Sequence, residues 1–272
     1  VPNIDLFIHL HVTKEAVISS RIEGTQTTMN EALLPFEEIS PEKRDDWREV
    51  QNYTQALNNA IESLETLPLS SRLLRNSHET LMQGVRGEDK TPGEFRTSQN
   101  WIGGASPADA VFIPPAHIYV QDLMSNLEKF LHNRTSHVPS LIRIGLAHYQ
   151  FETIHPFLDG NGRVGRLLIP LYLVSEKILE KPLLYLSYFF ERNKSLYYDN
   201  LMRVRERNDL LTWLKYFLVG VEQTATQAVE TLKGIMILKA DLENEISKEL
   251  GKRSNSASSL INAMFRNPVV TK

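Results

Sequence analysis

The sequence contains no cysteine among its 272 residues. This absence excludes disulfide bonds, thiolate nucleophiles and zinc sites built on cysteine, and it is typical of a protein in a reducing compartment. We therefore expect a cytoplasmic protein.

Long apolar runs and a large net charge are also missing. The richest apolar stretch, Leu167 to Val174, is about eight residues long and contains Pro170, whereas a membrane-spanning helix needs roughly 20 residues. The formal net charge is −3, which argues against broad binding of nucleic acid. With 42% hydrophobic residues, the chain can bury a good core, and we expect no membrane partner.

Apolar residues recur at helical spacing along most of the chain, which predicts a mainly α-helical protein. In the first predicted helix, Thr13 is a candidate N-cap and Gly24 suits the left-handed conformation that ends a helix. The predicted helices are Val12 to Glu23, Trp47 to Leu64, Ser71 to Met82, Ile118 to Leu131, Leu141 to Ile154, Val164 to Ser175, Tyr198 to Arg205 and Leu210 to Leu250.

Residues 91–115 interrupt the helical pattern. Glycine and proline pairs separate two short extended stretches, Phe95 to Ile102 and Ala110 to Ile113, and this arrangement predicts a β-hairpin flap.

The chain divides into three predicted parts. We expect an N-terminal helical region over residues 1–90, a core over residues 91–250, and a linker with the start of a further module over residues 251–272. The first residue is valine and the last residues stop inside an unfinished helical pattern, so we expect a trimmed fragment.

The segment from residue 155 to residue 166 combines a base with an anion site. Pro156 disfavours helix at His155, so the preceding helix should end there and leave the imidazole at the mouth of a turn. Gly160 and Gly162 allow positive φ and let backbone N–H groups point inward at the start of the next helix, which forms a cradle for an anion.

Charged side chains complete this predicted site. Arg163 and Arg166 are three residues apart on the opening turn of the helix and can hold phosphate oxygens. Asp159, an acid in a basic cradle, suits a Mg²⁺ ion that bridges phosphates, and His155 remains as general base. The sequence has no Gly-x-x-x-x-Gly-Lys-Ser/Thr motif, so the site is not a P-loop.

The twelve residues from His155 to Arg166 resemble the Fic signature, His-x-Phe-x-Asp/Glu-Gly-Asn-Gly-Arg-x-x-Arg, at every defined position. The resemblance extends over roughly residues 15 to 215. It implies the Fic fold, with the flap beside the active-site loop, and a protein adenylyltransferase that moves AMP from ATP to a Ser, Thr or Tyr hydroxyl and releases pyrophosphate. In this comparison the histidine deprotonates the hydroxyl and the acidic residue holds Mg²⁺. The nucleotide-binding residues it implies are Gly160, Asn161, Gly162, Arg163, Val164, Gly165, Arg166 and Tyr197. For Tyr197 the alternative is a core residue, since a tyrosine beside a helix in an apolar neighbourhood is more often buried there.

Ser19 to Gly24 resembles the inhibitory motif of Fic proteins that carry it N-terminal to the core, Ser/Thr-x-x-x-Glu-Gly/Asn. The resemblance implies that Glu23 pairs with Arg166 and prevents productive ATP binding, which makes residues 13–23 an inhibitory helix. Ser19 and Glu23 are four residues apart and share a helical face. A solvated glutamate without such a role is the alternative.

Several partners and reactions stay open. The flap edge is expected to bind an extended segment of the target protein, the chain itself is a candidate target, and a homodimer is another candidate assembly. Residues 255–272 resemble the opening of a winged-helix module, which would bind DNA. The alternatives to AMP transfer are a nucleotide-sensing regulator, AMP removal and phosphotransfer.

Overall fold

The computed structural model describes residues 4–250, 254–266 and 268–269. These ranges form eleven α-helices, which confirms the mainly helical prediction. The helices are α1 Ile4–Ile22, α2 Met29–Ala32, α3 Arg44–Ser63, α4 Ser71–Leu81, α5 Val120–His132, α6 Ser140–Ile154, α7 Asn161–Ser175, α8 Ser187–Arg192, α9 Lys194–Arg207, α10 Leu210–Leu250 and α11 Ser254–Arg266.

The core is built around α7. This helix is apolar on nearly all sides and almost all of its residues are buried, as expected for a helix surrounded by other elements. It contacts α6, α3, α4 and α1. Its N-terminus carries the predicted anion site, so a buried helix at the centre of the core positions that site.

Helix α1 begins earlier than the sequence indicated. It starts at Ile4, and the hydroxyl of Thr13 donates to the carbonyl of His9 (2.9 Å), so Thr13 lies inside the helix and is not its cap. The buried residues Val12, Ala16, Val17 and Ile22 of α1 face the core.

The predicted β-hairpin flap is wrong. The described residues contain no β-strand, and residues 91–115 form a loop with one isolated bridge between Ile102 and Phe112. The backbone N–H of Arg96 donates to the carbonyl of Pro156 (2.8 Å), so this part of the chain is bonded to the signature loop and not to a partner strand. Pro114 and Pro115 have no N–H with which to extend the bridge.

The C-terminal part is also helical where it is described. Helix α11 lies within residues 251–272, where the sequence predicted a linker and the start of a further module, and it contacts α10 and α1. Residues 251–253, 267 and 270–272 lie outside the described residues, and the winged-helix module stays a prediction. Among the described helices, none combines the length and apolar character needed to cross a bilayer.

Arg96 joins the loop of residues 91–115 to the end of α6. Its buried guanidinium donates to the carbonyls of His155 (2.9 Å), Pro115 (2.5 Å) and Ile154 (3.3 Å). This side chain therefore fixes the backbone on which the predicted base is carried.

We expect Arg96→Met to lower the free energy of unfolding by on the order of 3 kcal/mol, because several buried carbonyls lose a charged donor. Urea denaturation measures this loss. Arg203→Met is the matched control on the exposed side of α9 and should change stability by less than about 0.5 kcal/mol. Equal losses for the two variants would contradict the role of Arg96.

Candidate active site

His155 stands at the end of α6 in a left-handed conformation, with φ +51° and ψ +61°. The backbone N–H of His155 donates to the carbonyl of Phe151 (2.9 Å), and Pro156 prevents the helix from continuing. The Nδ1 atom is buried and has no hydrogen-bond partner among the described residues. Burial, with a contribution from the positive charge of Arg205, lowers the pKa of His155 to about 4. The imidazole is therefore unprotonated at neutral pH and can accept a proton.

Asn161 closes the turn that follows His155. Its side-chain NH₂ donates to the carbonyl of Phe157 (2.8 Å), and its side-chain oxygen accepts the N–H of the same residue (2.8 Å). The structure thus uses the amide of this predicted nucleotide-binding residue to shape the loop.

Gly160 sets the start of α7. It has φ +72°, and a Cβ there would lie 3.0 Å from the sulfur of Met82 and 3.3 Å from the ring of His78. The Gly160 N–H donates to Oδ1 of Asp159 (2.6 Å). The amides of the first turn have no acceptor within the helix, so together with the helix dipole they form a site for an anion.

His78 on α4 supports this loop through a bond to the backbone of Asp159. It was not predicted, because a lone histidine on an amphipathic helix belongs to no motif. Its Nδ1 accepts the N–H of Gly93 (2.9 Å), so Nε2 carries the proton and donates to the carbonyl of Asp159 (3.0 Å). The ring stacks on Phe157 with centroids 3.9 Å apart. Burial lowers the pKa of His78 to about 4, which keeps this arrangement neutral.

Arg163 points toward α3. Its buried guanidinium lies 3.4 Å from the carboxylate of Glu49, which is buried too. Glu49 also accepts the hydroxyl of Thr25 (2.8 Å). Although Arg163 and Arg166 are neighbours on the helix, their side chains therefore diverge, and only Arg166 faces α1. Glu49 belonged to no recognised motif.

Arg166 is held by the last turns of α1. Its Nε donates to the hydroxyl of Ser19 (2.8 Å), and its Nη2 donates to the carbonyl of Ser19 (2.9 Å) and to Oε1 of Glu23 (2.6 Å). The side chain of Arg166 is 2% exposed and that of Glu23 is 33% exposed. Burial disfavours the charge on Glu23, but the attraction of Arg166 outweighs it and leaves the pKa of Glu23 below its usual value. The structure thus brings together the three residues that the inhibitory motif implied.

The end of α1 aims Glu23 at α7. Gly24 has φ +109°, which confirms its expected left-handed conformation. Its N–H donates to the carbonyl of Arg21 (3.0 Å), and the N–H of Thr25 donates to the carbonyl of Ser20 (3.2 Å). These two bonds form a Schellman motif, which ends the helix and fixes the direction of the chain around Glu23.

Gly162 leaves room for the carboxylate of Glu23. A Cβ at this position would lie 2.3 Å from Oε1 of Glu23 and 2.9 Å from Nη1 of Arg166. The contact between α1 and Arg166 therefore depends on the absence of a side chain at residue 162.

Two buried carboxyl groups lie near Arg166 as well. Glu15 accepts the hydroxyls of Tyr53 (3.0 Å) and Ser187, and burial raises its pKa to about 7. Glu152 has its Oε1 buried without a hydrogen-bond partner among the described residues, and burial raises its pKa to about 7. A Cβ on Gly165 would lie 2.2 Å from this oxygen, so Gly165 accommodates Glu152.

Tyr197 is a core residue that supports α7. It is 1% exposed, and its hydroxyl donates to Nε2 of His148 (2.9 Å), whose Nδ1 donates to the carbonyl of Gly165 (2.8 Å). The neighbouring Tyr198 is 39% exposed. Val164 is fully buried as well, so neither Val164 nor Tyr197 presents its side chain at the mouth of the loop.

Two parts of the chain match models of known protein families. Residues 1–62 match the model described as "Fic/DOC family N-terminal", and residues 68–173 match the model described as "Fic/DOC family". The chain belongs to the Fic/DOC family. The second match contains the loop from His155 to Arg166, and the first contains Ser19 and Glu23.

Relatives and solved structures agree with this assignment. The chain is 32% identical over 137 residues to "Protein adenylyltransferase Fic" of Culex quinquefasciatus, in a match that covers 48% of this chain and 24% of that relative. A Fic family protein from Desulfovibrio desulfuricans G20 has a TM-score of 0.67 and 25% identity, over 85% of this chain and 67% of that one. A Fic domain protein from Bacteroides thetaiotaomicron has the same TM-score at 21% identity, over 84% and 88%. The chain spans about a quarter of the length of the Culex relative.

Gly162→Ala should lower the free energy of unfolding by about 1 to 3 kcal/mol, because the added methyl group collides with the buried ion pair. In a Glu23→Ala background the same substitution should cost at least about 1 kcal/mol less, which a double-mutant cycle in urea measures. Gly234→Ala on α10, where a Cβ would meet nothing within 4 Å, should have equal effects in both backgrounds. If the effects of Gly162→Ala and Glu23→Ala on the free energy of unfolding were additive, that result would contradict the contact between residue 162 and the carboxylate of Glu23.

The raised pKa of Glu15 predicts a pH dependence of stability. Its pKa is 4.5 when exposed and about 7 in the fold, so the folded state binds more protons between these values and stability falls as pH rises through this window. Glu15→Gln does not titrate and should gain on the order of 3 kcal/mol relative to the parent between about pH 4.5 and pH 7. Unfolding at several pH values measures the gain, and exposed Glu65→Gln should show no such trend.

Proposed function

We propose that this chain transfers AMP from ATP to a hydroxyl group of a protein side chain and releases pyrophosphate. The main support is the loop itself, which carries an unprotonated imidazole and an anion-binding helix N-terminus within a few residues of each other. The name of the Culex relative, a protein adenylyltransferase, supports the same reaction.

The phosphates of ATP would bind at the N-terminus of α7. The free amides of the first turn and the helix dipole favour negative charge there, and Gly160 and Gly162 let the phosphates approach the backbone. Arg166 becomes a further phosphate ligand once Glu23 has left it, since its guanidinium can hold two oxygens at once.

Asp159 is the residue that would hold Mg²⁺. The described residues contain no group of three or more histidine or acidic side chains that could bind a metal, and a single carboxylate fits Mg²⁺ because this ion takes its other ligands from phosphates and water. When bound, the ion would neutralise charge on the phosphates.

His155 would act as the general base. The oxygen of the target hydroxyl forms a bond to the α-phosphorus, the bond from this phosphorus to the bridging oxygen breaks, and pyrophosphate leaves with that electron pair. The hydroxyl proton passes to the imidazole. Phosphate charges beside His155 raise its proton affinity, so the base strengthens when the nucleotide is present.

Glu23 would keep the enzyme at rest. Arg166 cannot hold a phosphate while its guanidinium is bonded to Ser19 and Glu23, and the 2.6 Å ion pair supports this interpretation. The pair is partly buried, so water screens it less than a surface pair.

The same loop could serve phosphotransfer or removal of AMP, and the mass of the product separates these reactions. A nucleotide-sensing regulator is less well supported, because a sensor needs phosphate binding but no base. Self-modification offers an assay in which the physiological target need not be known.

We expect Glu23→Gly to raise the rate of AMP transfer by about tenfold or more, which corresponds to loss of an interaction of about 1.4 kcal/mol. His155→Ala in the same background should lower the rate by about 10² to 10⁴ through loss of the base. Intact mass after incubation with ATP and Mg²⁺, and transfer of label from ATP to acceptor proteins, measure both.

Glu65→Gly is the control, since this exposed glutamate also follows the end of a helix, and it should leave the rate unchanged. No AMP adduct in any variant, with any acceptor, would refute the transferase. A phosphate adduct would identify the reaction as phosphotransfer and not AMP transfer. Equal rates for Glu23→Gly and its parent would refute the inhibition by Glu23.

A further inference from the structure

An exposed arginine stands close to the signature loop and has no step in the reaction proposed above. Arg86 lies in the connection that follows α4, and its side chain is 68% exposed. The preceding residue, Val85, is buried and anchors this connection. The Arg86 guanidinium lies 3.6 Å from Oε1 of Glu49, which is beyond the length of a hydrogen bond. Its donors are therefore only loosely held.

The backbone next to Arg86 touches Asp159. A Cβ on Gly87 would lie 3.0 Å from Oδ2 of Asp159 and 2.6 Å from the terminal carbon of Met82. Gly87 also has φ +90°, a conformation that other residues rarely adopt. The missing side chain at residue 87 thus brings the connection after α4 against the acidic residue of the signature loop.

Arg163, which the family resemblance assigned to the phosphates, is directed into the protein instead. Its side chain is 4% exposed, and its Nη1 lies 3.4 Å from Oε2 of Glu49. Its Nη2 contacts the sulfur of Met82 (3.4 Å). Two arginines therefore share the carboxylate of Glu49, and Arg86 is the one that a molecule from solvent can reach.

Glu49 does not depend on Arg86. Its side chain is 2% exposed, and a buried carboxylate without a partner is costly. Glu49 also accepts the hydroxyl of Thr25 (2.8 Å) and is paired with Arg163, and both partners would remain if Arg86 turned away. An ion pair with an exposed partner adds little to stability, so Arg86 can exchange Glu49 for another anion at low cost.

The segment after α1 connects this cluster with the inhibitory contact. Thr25 is bonded to Glu49, and Glu23, two residues earlier, is bonded to Arg166. The exposed guanidinium of Arg86 therefore lies in the same neighbourhood as the guanidinium that Glu23 occupies. An anion that displaces Glu23 from Arg166 enters the field of both arginines.

We propose that Arg86 binds the terminal phosphates of ATP, and this inference rests on the proposed function. At rest the guanidinium lies near Glu49, and with ATP bound it turns to the β- and γ-phosphates. When the bond from the α-phosphorus to the bridging oxygen breaks, the electron pair stays on pyrophosphate. Arg86 stabilises this developing charge, which makes it a binding residue for the leaving group.

The test compares the affinities for ATP and AMP, with Mg²⁺ present, in the full chain carrying Glu23→Gly and His155→Ala. This background frees Arg166 and prevents consumption of ATP. Adding Arg86→Met should weaken ATP binding by about tenfold in calorimetry and leave AMP binding unchanged, because AMP has no terminal phosphates. Arg86→Lys keeps the charge and should lose less affinity for ATP than Arg86→Met.

Arg72→Met is the matched control. This arginine is exposed as well and stands in the first turn of α4, roughly 14 Å along the helix axis from Leu81. Its loss removes the same charge from the protein and should change neither affinity. In the active Glu23→Gly variant, Arg86→Met should also raise the KM for ATP and weaken inhibition by pyrophosphate, each by about tenfold.

Equal ATP affinities for Arg86→Met and Arg72→Met would overturn the proposal. So would an equal loss of ATP and AMP affinity in Arg86→Met, which indicates a change in the shape of the site, or a background variant that binds no ATP. If ATP binding depends on Arg86 but Glu23→Gly transfers no AMP to any acceptor, the proposed function is refuted while the role of Arg86 in binding the nucleotide stands.

Discussion

A buried guanidinium must be paired, and the rest of the site depends on how this chain pairs Arg166. Removing one partner from a buried charge is far more costly than losing a surface ion pair. The bonds that Ser19 and Glu23 form with Arg166 therefore also stabilise α7. Helix α1 is consequently part of the core, where its residues Ala16 and Val17 pack. Under the proposed function, a nucleotide would displace Glu23 and its phosphates would replace the lost charge, so that Arg166 would stay paired throughout.

The loop that carries His155, the proposed base, is shaped by side chains to which the proposed function gives no step in the reaction. His78 holds the carbonyl of Asp159, Arg96 holds that of His155, and Asn161 holds both backbone groups of Phe157. Each bond fixes a peptide group next to a functional residue. A general base must be placed accurately to act, and here this accuracy comes from donors on α4 and on the loop of residues 91–115.

How much the sequence predicted depends on whether the information was local. The end of α6 at His155 follows from Pro156, and the end of α1 follows from Gly24, because each is a property of a few adjacent residues. The flap failed because Arg96 and Asn100 bond to the signature loop, a contact between distant residues that no alternation of residue types reveals. His78, Glu49 and Glu15 were missed for the same reason. Tyr197 followed a family resemblance, but its side chain is directed into the core by His148.

Substitutions at Gly162 and substitutions at the end of α1 are expected to have different consequences for the protein. The missing side chain leaves space for the carboxylate of Glu23 and, under the proposed function, would also let a phosphate approach the backbone. A substitution there would then disturb the inhibited state and the nucleotide site together. Under the same proposal, a change of Glu23 would act on the inhibited state and would leave the backbone at residue 162 open to a phosphate. In a lineage under selection for a constantly active enzyme, the inhibitory helix is therefore the part expected to diverge first, while residue 162 is expected to remain glycine.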